Sequence, residues 1–378
     1  MTTIISGSSP SITFSDSTTQ STTAPSTSTF GFKNRIINGG MVIDQRNAGA
    51  SVTPTDGQYT LDRWLANASA ASKFTVQQNA GSITPPAGFS NYLGCTSSSA
   101  YSVGSGETFA IQQRIEGFNT SDLGWGTANA KTVTLSAWVY SSLTGTFGGS
   151  ITNSAVNYSY PFSYSIPVAN TWTQISVTIA GPTSGTWIGA TNGTGMCIFF
   201  SIGTGSTRSG TAGSWSANLY TSATGATSVV GTSGATFYLT GVQLEVGTQA
   251  TSFDFRSIGQ ESSLCYRYYY RWGPSLGQLT VYAPLMHNIT ANNAYGAFTL
   301  PVVLRSNPTL TTNGTAGDYG AYQAATELFC NSVPLLDTLN TFTPSLTFAY
   351  AGSLTVGGTT FPRAVFGVGS FLGFSAEL

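Results

Sequence analysis

The sequence predicts an all-β protein: a jelly-roll-like β-sandwich followed by a second β-sandwich domain, with an extended N-terminal segment ahead of both. Three observations predict it. Charged residues make up only 7% of the chain, against about 25% in an average soluble protein, so hydroxyl and amide groups fill the polar positions. The 44 glycines break the text into short runs, which suits tight turns better than helices. Within those runs apolar and polar residues alternate, the period of a half-buried strand.

A chain of 378 residues exceeds the roughly 100–200 residues of one domain. The expected division is an anchor at 1–33, a first sandwich at 34–256 and a second β domain at 257–378. Residues 1–30 are rich in Ser and Thr and hold one charged group, Asp16; too few apolar residues are present there for a core, so order has to come from partners. From Asn34 the alternation begins. In 131–140, Val133, Leu135, Ala137 and Val139 share one face, the face expected in the core. The register repeats in 171–179 with Ile175, Val177 and Ile179. Met196 to Ile202 is apolar on both faces, which reads as a central strand. Phe109, Ile111 and Ile115 suggest an edge strand, and Thr236 to Val246 a long closing one. The Gly/Ser/Thr-rich stretches 141–157 and 203–235 read as loops or hairpin tips. Around Ile258 to Tyr268 the spacing predicts a helical turn at an interdomain joint, with Ile258, Glu261, Leu264, Cys265 and Tyr268 on one face. Further strands are expected around 266–272, 279–283, 295–304, 345–350 and 364–378.

Thirteen basic against 14 acidic residues leave a net charge of −1, without the basic footprint that nucleic acid requires. No apolar run approaches the roughly 18 residues of a membrane span, and the opening residues lack a secretory pattern, so no membrane insertion is expected. Cys95, Cys197, Cys265 and Cys330 are widely spaced and read as buried free thiols; no metal site and no cofactor are expected.

Several segments carry a resemblance. Asn34 to Arg46 (NRIINGGMVIDQR) is similar to a recurring opening of tailed-bacteriophage tail-fibre and related virion proteins, which starts a carbohydrate-module-like sandwich. Tyr59 to Trp64, Gly241 to Asp254, Leu264 to Tyr269, Leu304 to Thr309 and the ending Ala376-Glu377-Leu378 resemble further elements of that family, in the same order. Tyr266 and Asp254 stand where the family usually has Gln and Glu. Ser11 to Thr22 is similar to a stretch recurring in tail-fibre proteins, with Ser15 and Ser17 at its usual Pro and Gly. The resemblance implies a structural virion protein, a fibre or spike subunit forming a homotrimer. Its N-terminal segment, with Ile12, Phe14 and Asp16 as anchoring candidates, would dock on phage tail or capsid proteins, and its sandwiches would meet a host-surface glycan. The alternative is a capsid decoration or head-fibre protein on the capsid exterior.

Chemistry in the residues points away from an enzyme. His287 is the single histidine, with no nucleophile motif beside it. Acids such as Asp56, Asp62, Glu107, Glu116, Asp122 and Glu245 are present, but hydrolysis of a glycoside needs two of them poised across one bond. Asp62 with Arg63, and Glu245 with Asp254, read as salt-bridging or turn-capping groups. Sugar rings stack on exposed aromatic faces, and Trp125, Trp187 and Trp215 lie in Gly-rich, loop-like text; these are the candidate ligand contacts. Trp138 and Trp172 read as packing residues, and the run Tyr266 to Trp272 as an interdomain or intersubunit surface.

Overall fold

The computed structural model describes residues 4–5, 12–13, 19–20, 32–273, 280–323, 326–352, 354–365 and 369–378. In the N-terminal segment Ile4–Ile5, Ile12–Thr13 and Thr19–Gln20 pair as a small antiparallel sheet. Phe14 and Asp16 lie outside the described residues.

Two antiparallel sheets form the first sandwich. One has six strands in the order Ser159–Ile166, Gly145–Asn153, Thr194–Thr204, Thr108–Glu116, Leu65–Ala68 and Gln58–Tyr59. The other has five, in the order Thr173–Ile179, Val133–Ser141, Thr236–Val246, Leu93–Ser97 and Phe74–Gln78. Alternate residues of both sheets meet between them: Phe147 lies 6.0 Å from Phe237, and Phe74 lies 6.4 Å from Phe109. Val133, Leu135, Ala137 and Val139 are buried there as the alternation predicts. Thr194–Thr204 is interior, as its two-sided apolarity predicts.

Two strands depart from expectation. Thr108–Glu116 is an interior strand, not an edge; its polar residues Gln113 and Glu116 are buried with partners, which local hydrophobicity does not reveal. Gly145–Asn153, expected as loop, is also an interior strand. Its weak apolar signal comes from packing: a Cβ at Gly149 would sit 2.2 Å from the Phe199 carbonyl oxygen and 2.4 Å from the Phe162 ring, so only glycine lets the neighbouring chain approach.

The Asn34–Arg46 stretch has no strand of its own and acts as a clasp. Asn34 Oδ1 accepts from the Ile36 and Leu244 amides at 2.9 and 3.1 Å, tying the opening to the closing strand. Asn38 donates to the Ile43 and Asp62 carbonyls, and Trp64 Nε1 donates to the Asn38 carbonyl at 3.0 Å.

Beyond the helix Ile258–Tyr266, an eight-stranded sheet packs with a three-stranded one made of Tyr269–Trp272, Leu372–Ser375 and Thr309–Thr311. The helix is capped by the Ser257 side chain and buries Glu261 and Cys265, but Ile258, expected on its inner face, is exposed. Apolar side chains gather in two large clusters, one drawn from 36–246 and one from 272–376. All four cysteines are buried and free.

Candidate functional site

Three loops of the first sandwich bring the predicted tryptophans together. Trp125 follows two short 3-10 turns, Gly117–Asn119 and Ser121–Leu123; Trp187 lies between the strands Thr173–Ile179 and Thr194–Thr204; Trp215 lies in the long connection after Thr194–Thr204. The rings pack edge to face, with centroids 4.8 Å apart for Trp125–Trp187, 5.4 Å for Trp125–Trp215 and 5.6 Å for Trp187–Trp215. Tyr158 stacks on Trp215 at 5.5 Å, and Tyr160 tilts against it at 5.2 Å. Glycine makes the approach possible: Gly126 has φ 83°, and a Cβ there would lie 2.9 Å from the Trp187 ring.

Each indole N–H is already spent. Trp125 donates to the Lys131 carbonyl at 2.8 Å, Trp187 to Ser184 at 3.1 Å and Trp215 to Ala180 at 2.8 Å. What remains for a ligand is ring surface. Trp125 is buried in the core, while Trp187 and Trp215 are half-buried, so Trp125 supports the other two from beneath. The adjoining cavity, lined by Trp125, Trp187, Thr120 and Ser121 among others, holds about 50 Å³. That is far below the roughly 300–1,000 Å³ of pockets that enclose a small molecule, so a ligand would lie on the rings and not enter. Nearby, Asp122 takes a bidentate pair from Arg35 at 2.5 and 2.7 Å, which holds its carboxyl below the usual range.

The second constellation lies where the sandwiches meet, and it gathers the recurrent motifs. Arg63, almost fully buried, pairs with Glu377 and stacks over Tyr268 at 3.6 Å. Arg46 reaches Glu377 at 3.1 Å and stacks over Tyr269 at 3.6 Å. Glu116 accepts from Arg267 at 2.6 and 3.0 Å and from the Tyr268 hydroxyl at 2.6 Å. The Leu378 carbonyl accepts from Arg114 at 2.6 Å and from the Tyr59 hydroxyl at 2.9 Å. Asp62 accepts from the Gln45 amide at 2.7 Å and from Gln45 Nε2 at 2.5 Å, while its full burial pushes its pKa up to about 6 against the pull of Arg46. The aromatic run Tyr266 to Trp272 thus serves the joint between the sandwiches, one of the two places expected for it.

Beside this network an open cleft of about 340 Å³ is lined by residues of both sandwiches, including Arg46, Tyr59, Tyr269 and Phe371. Sequence reading missed it, because its walls come from positions more than 200 residues apart. The available signal was that Arg46, Tyr59 and Tyr269 each sit within a recurrent motif.

Among the buried carboxylates, the remaining three are also engaged, Asp318 accepting from the Asn313 side-chain amide. Glu245 accepts from the Thr251 amide and hydroxyl at 2.8 and 2.6 Å, and Glu261 takes Arg256 at 3.3 Å. Asp254 donates its amide to Gln243 Oε1 at 2.8 Å. These are structural bonds of the kind expected for Asp62, Arg63 and Glu245, although Arg63 pairs with Glu377 and not with its neighbour, and Asp254 takes part through its backbone amide. Among the described residues, no group of three or more His, Cys, Asp or Glu converges as a metal site.

No family model and no curated protein sequence matches this chain. Solved structures show limited likeness. A candidate sugar-binding protein of Bacteroides thetaiotaomicron aligns at 14% identity and a TM-score of 0.33, over 57% of this chain and 100% of that one. The enzymatically active domain of tailspike protein 4 from bacteriophage CBA120 aligns at 14% identity and a TM-score of 0.29, over 57% of this chain but 21% of that one. A family 11 carbohydrate-binding module of Clostridium thermocellum aligns at 10% identity and a TM-score of 0.25, over 54% of this chain and 99% of that one. The all-β sandwich assignment rests on the strand pairing itself.

Proposed function

We propose that this chain is a non-enzymatic structural subunit of a tailed-phage particle, a homotrimeric fibre or spike component whose first sandwich binds a host-surface glycan. The N-terminal segment is the anchor to the particle in this reading, 34–256 the binding sandwich and 257–378 the second unit. The observation that carries the glycan reading is the tryptophan cluster. Trp187 and Trp215 offer ring surface with no free N–H, the kind of surface on which the C–H face of a neutral sugar stacks. The buried carboxylates are committed to arginines, amides and hydroxyls, which favours binding over hydrolysis. The virion assignment is supported by the ordered motifs, whose residues build the clasp and the joint.

Two measurements test it. Retention of the purified chain on host-cell surface polysaccharide is expected, with at least a tenfold loss on replacing Trp187 and Trp215 together by Ala; no retention, or unchanged retention by the double variant, overturns the glycan site. Antibody labelling of intact particles is expected at the tail, whereas label spread over the head favours the capsid decoration reading.

A further inference from the structure

An antiparallel sheet with one face in the core normally turns polar residues outward. The first sandwich obeys this on the strand Thr173–Ile179, where Gln174, Ser176 and Thr178 are the exposed alternates. The eight-stranded sheet of the second unit does not. Its register places Tyr322 beside Phe361, and Phe329, Gly320, Arg363 and Tyr282 in one row across four strands. These alternate with the buried Tyr319, Ala321 and Ala364 of the inner face, so they point outward. Phe361 is 53% exposed, Tyr282 50%, Phe329 46% and Tyr322 39%. The same outer face continues through His287, Tyr295 and Thr347 to Leu335, itself 58% exposed.

Within the aromatic half lies one cation. Arg363 is on the outer face yet only 5% exposed; its guanidinium stacks over Tyr322 at 4.5 Å and pairs with Glu327, which lies two strands away, beyond Tyr322. That pair closes the charge of this half of the face within the chain, while Arg363 Nε is buried without a partner.

We propose that this outer face is the contact between copies of this chain. A charged partner has nothing to complement here, because the single cation is already neutralised. A face that is neutral and aromatic is complementary to itself, and a net charge of −1 over 378 residues gives copies little reason to repel. Four aromatic side chains of about 150–250 Å² each, half exposed, supply on the order of 400 Å² of apolar surface; Leu335 and Tyr295 raise this toward the apolar share of a standard interface, which buries about 800 Å² per partner. A patch of this kind left bare invites aggregation, and the partner present in step with synthesis is another copy.

The inference rests on the multi-copy part of the proposed function and names the surface for it. Sedimentation of the full chain is the test, comparing wild type with Phe361→Lys and, on an adjacent strand, Tyr282→Lys; a Gln174→Lys variant on the exposed face of the first sandwich is the control. The expected result is a multi-copy wild type and control, with both face variants at least tenfold weaker in self-association and unchanged in circular dichroism. A multi-copy wild type whose folded face variants stay multi-copy overturns this surface and leaves the trimer reading standing. A wild type that is single-copy at all concentrations overturns both, while glycan retention decides the binding reading separately.

Discussion

Asp62 is a carboxylate with more burial than counter-charge. Its two oxygens are served by Gln45, but Arg46 stands 4.0 Å away and is shared with Glu377. The folded pKa, about 6, lies above the unfolded value of about 3.9. A group raised in the folded state favours folding below its unfolded pKa and loses that contribution as pH rises through its folded pKa. Asp62 therefore weakens the fold progressively between pH about 4 and 6. Asp62→Asn is expected to remove that slope, which urea midpoints taken at intervals across this range would show. An unchanged slope would mean that Asp62 stays ionised in the fold. The motif at 59–64 placed Asp62 and Arg63 as structural residues; which groups they meet was not legible, since Glu377 is 314 residues from Arg63.

At the scale of elements, alternation located the strands whose inner faces are aliphatic and failed where glycine or buried amides do the packing. Gly145–Asn153 is the clearest instance. Glycine has low strand propensity, yet the position needs the absence of a side chain more than it needs propensity. Gly149→Val is expected to force the Phe162 ring and the neighbouring strand apart, at a cost of about 1–3 kcal/mol typical of overpacking. Thermal midpoints against Val168→Ala, an exposed site, would measure it. The tryptophan loops were recognisable by their Gly-rich text, but their convergence was not. Nothing local links Trp125 to Trp215; the bridge between Ser159 and Ser216 and the hydrogen bond from Trp215 to Ala180 bring the third ring in.

Across the whole molecule the joint is a polar lock around the small cluster of Ile37, Cys265 and Tyr268. Arg305 ties it further, donating to the carbonyls of Asn192, Ala376 and Glu377 at 2.8, 2.8 and 2.7 Å. Removing one partner of a buried pair leaves the other uncompensated, typically costing 3–5 kcal/mol. Glu377→Ala is accordingly expected to destabilise the chain by about that amount and to separate unfolding of the two sandwiches in calorimetry. A single unshifted transition would show that the apolar contacts hold the joint alone.

The sequence by itself determined the all-β class, the main inner-face residues, the helical joint before the second unit and the buried state of the cysteines. Each is set by period, composition or neighbours a few residues apart. Only the tertiary structure decided that Glu377 meets Arg63, that three tryptophans form one cluster, that a glycine-rich stretch is an interior strand and that an aromatic sheet face is left outward. Those depend on which distant strands become neighbours, and burial, charge pairing and close approach act on distance in space, which local pattern does not encode.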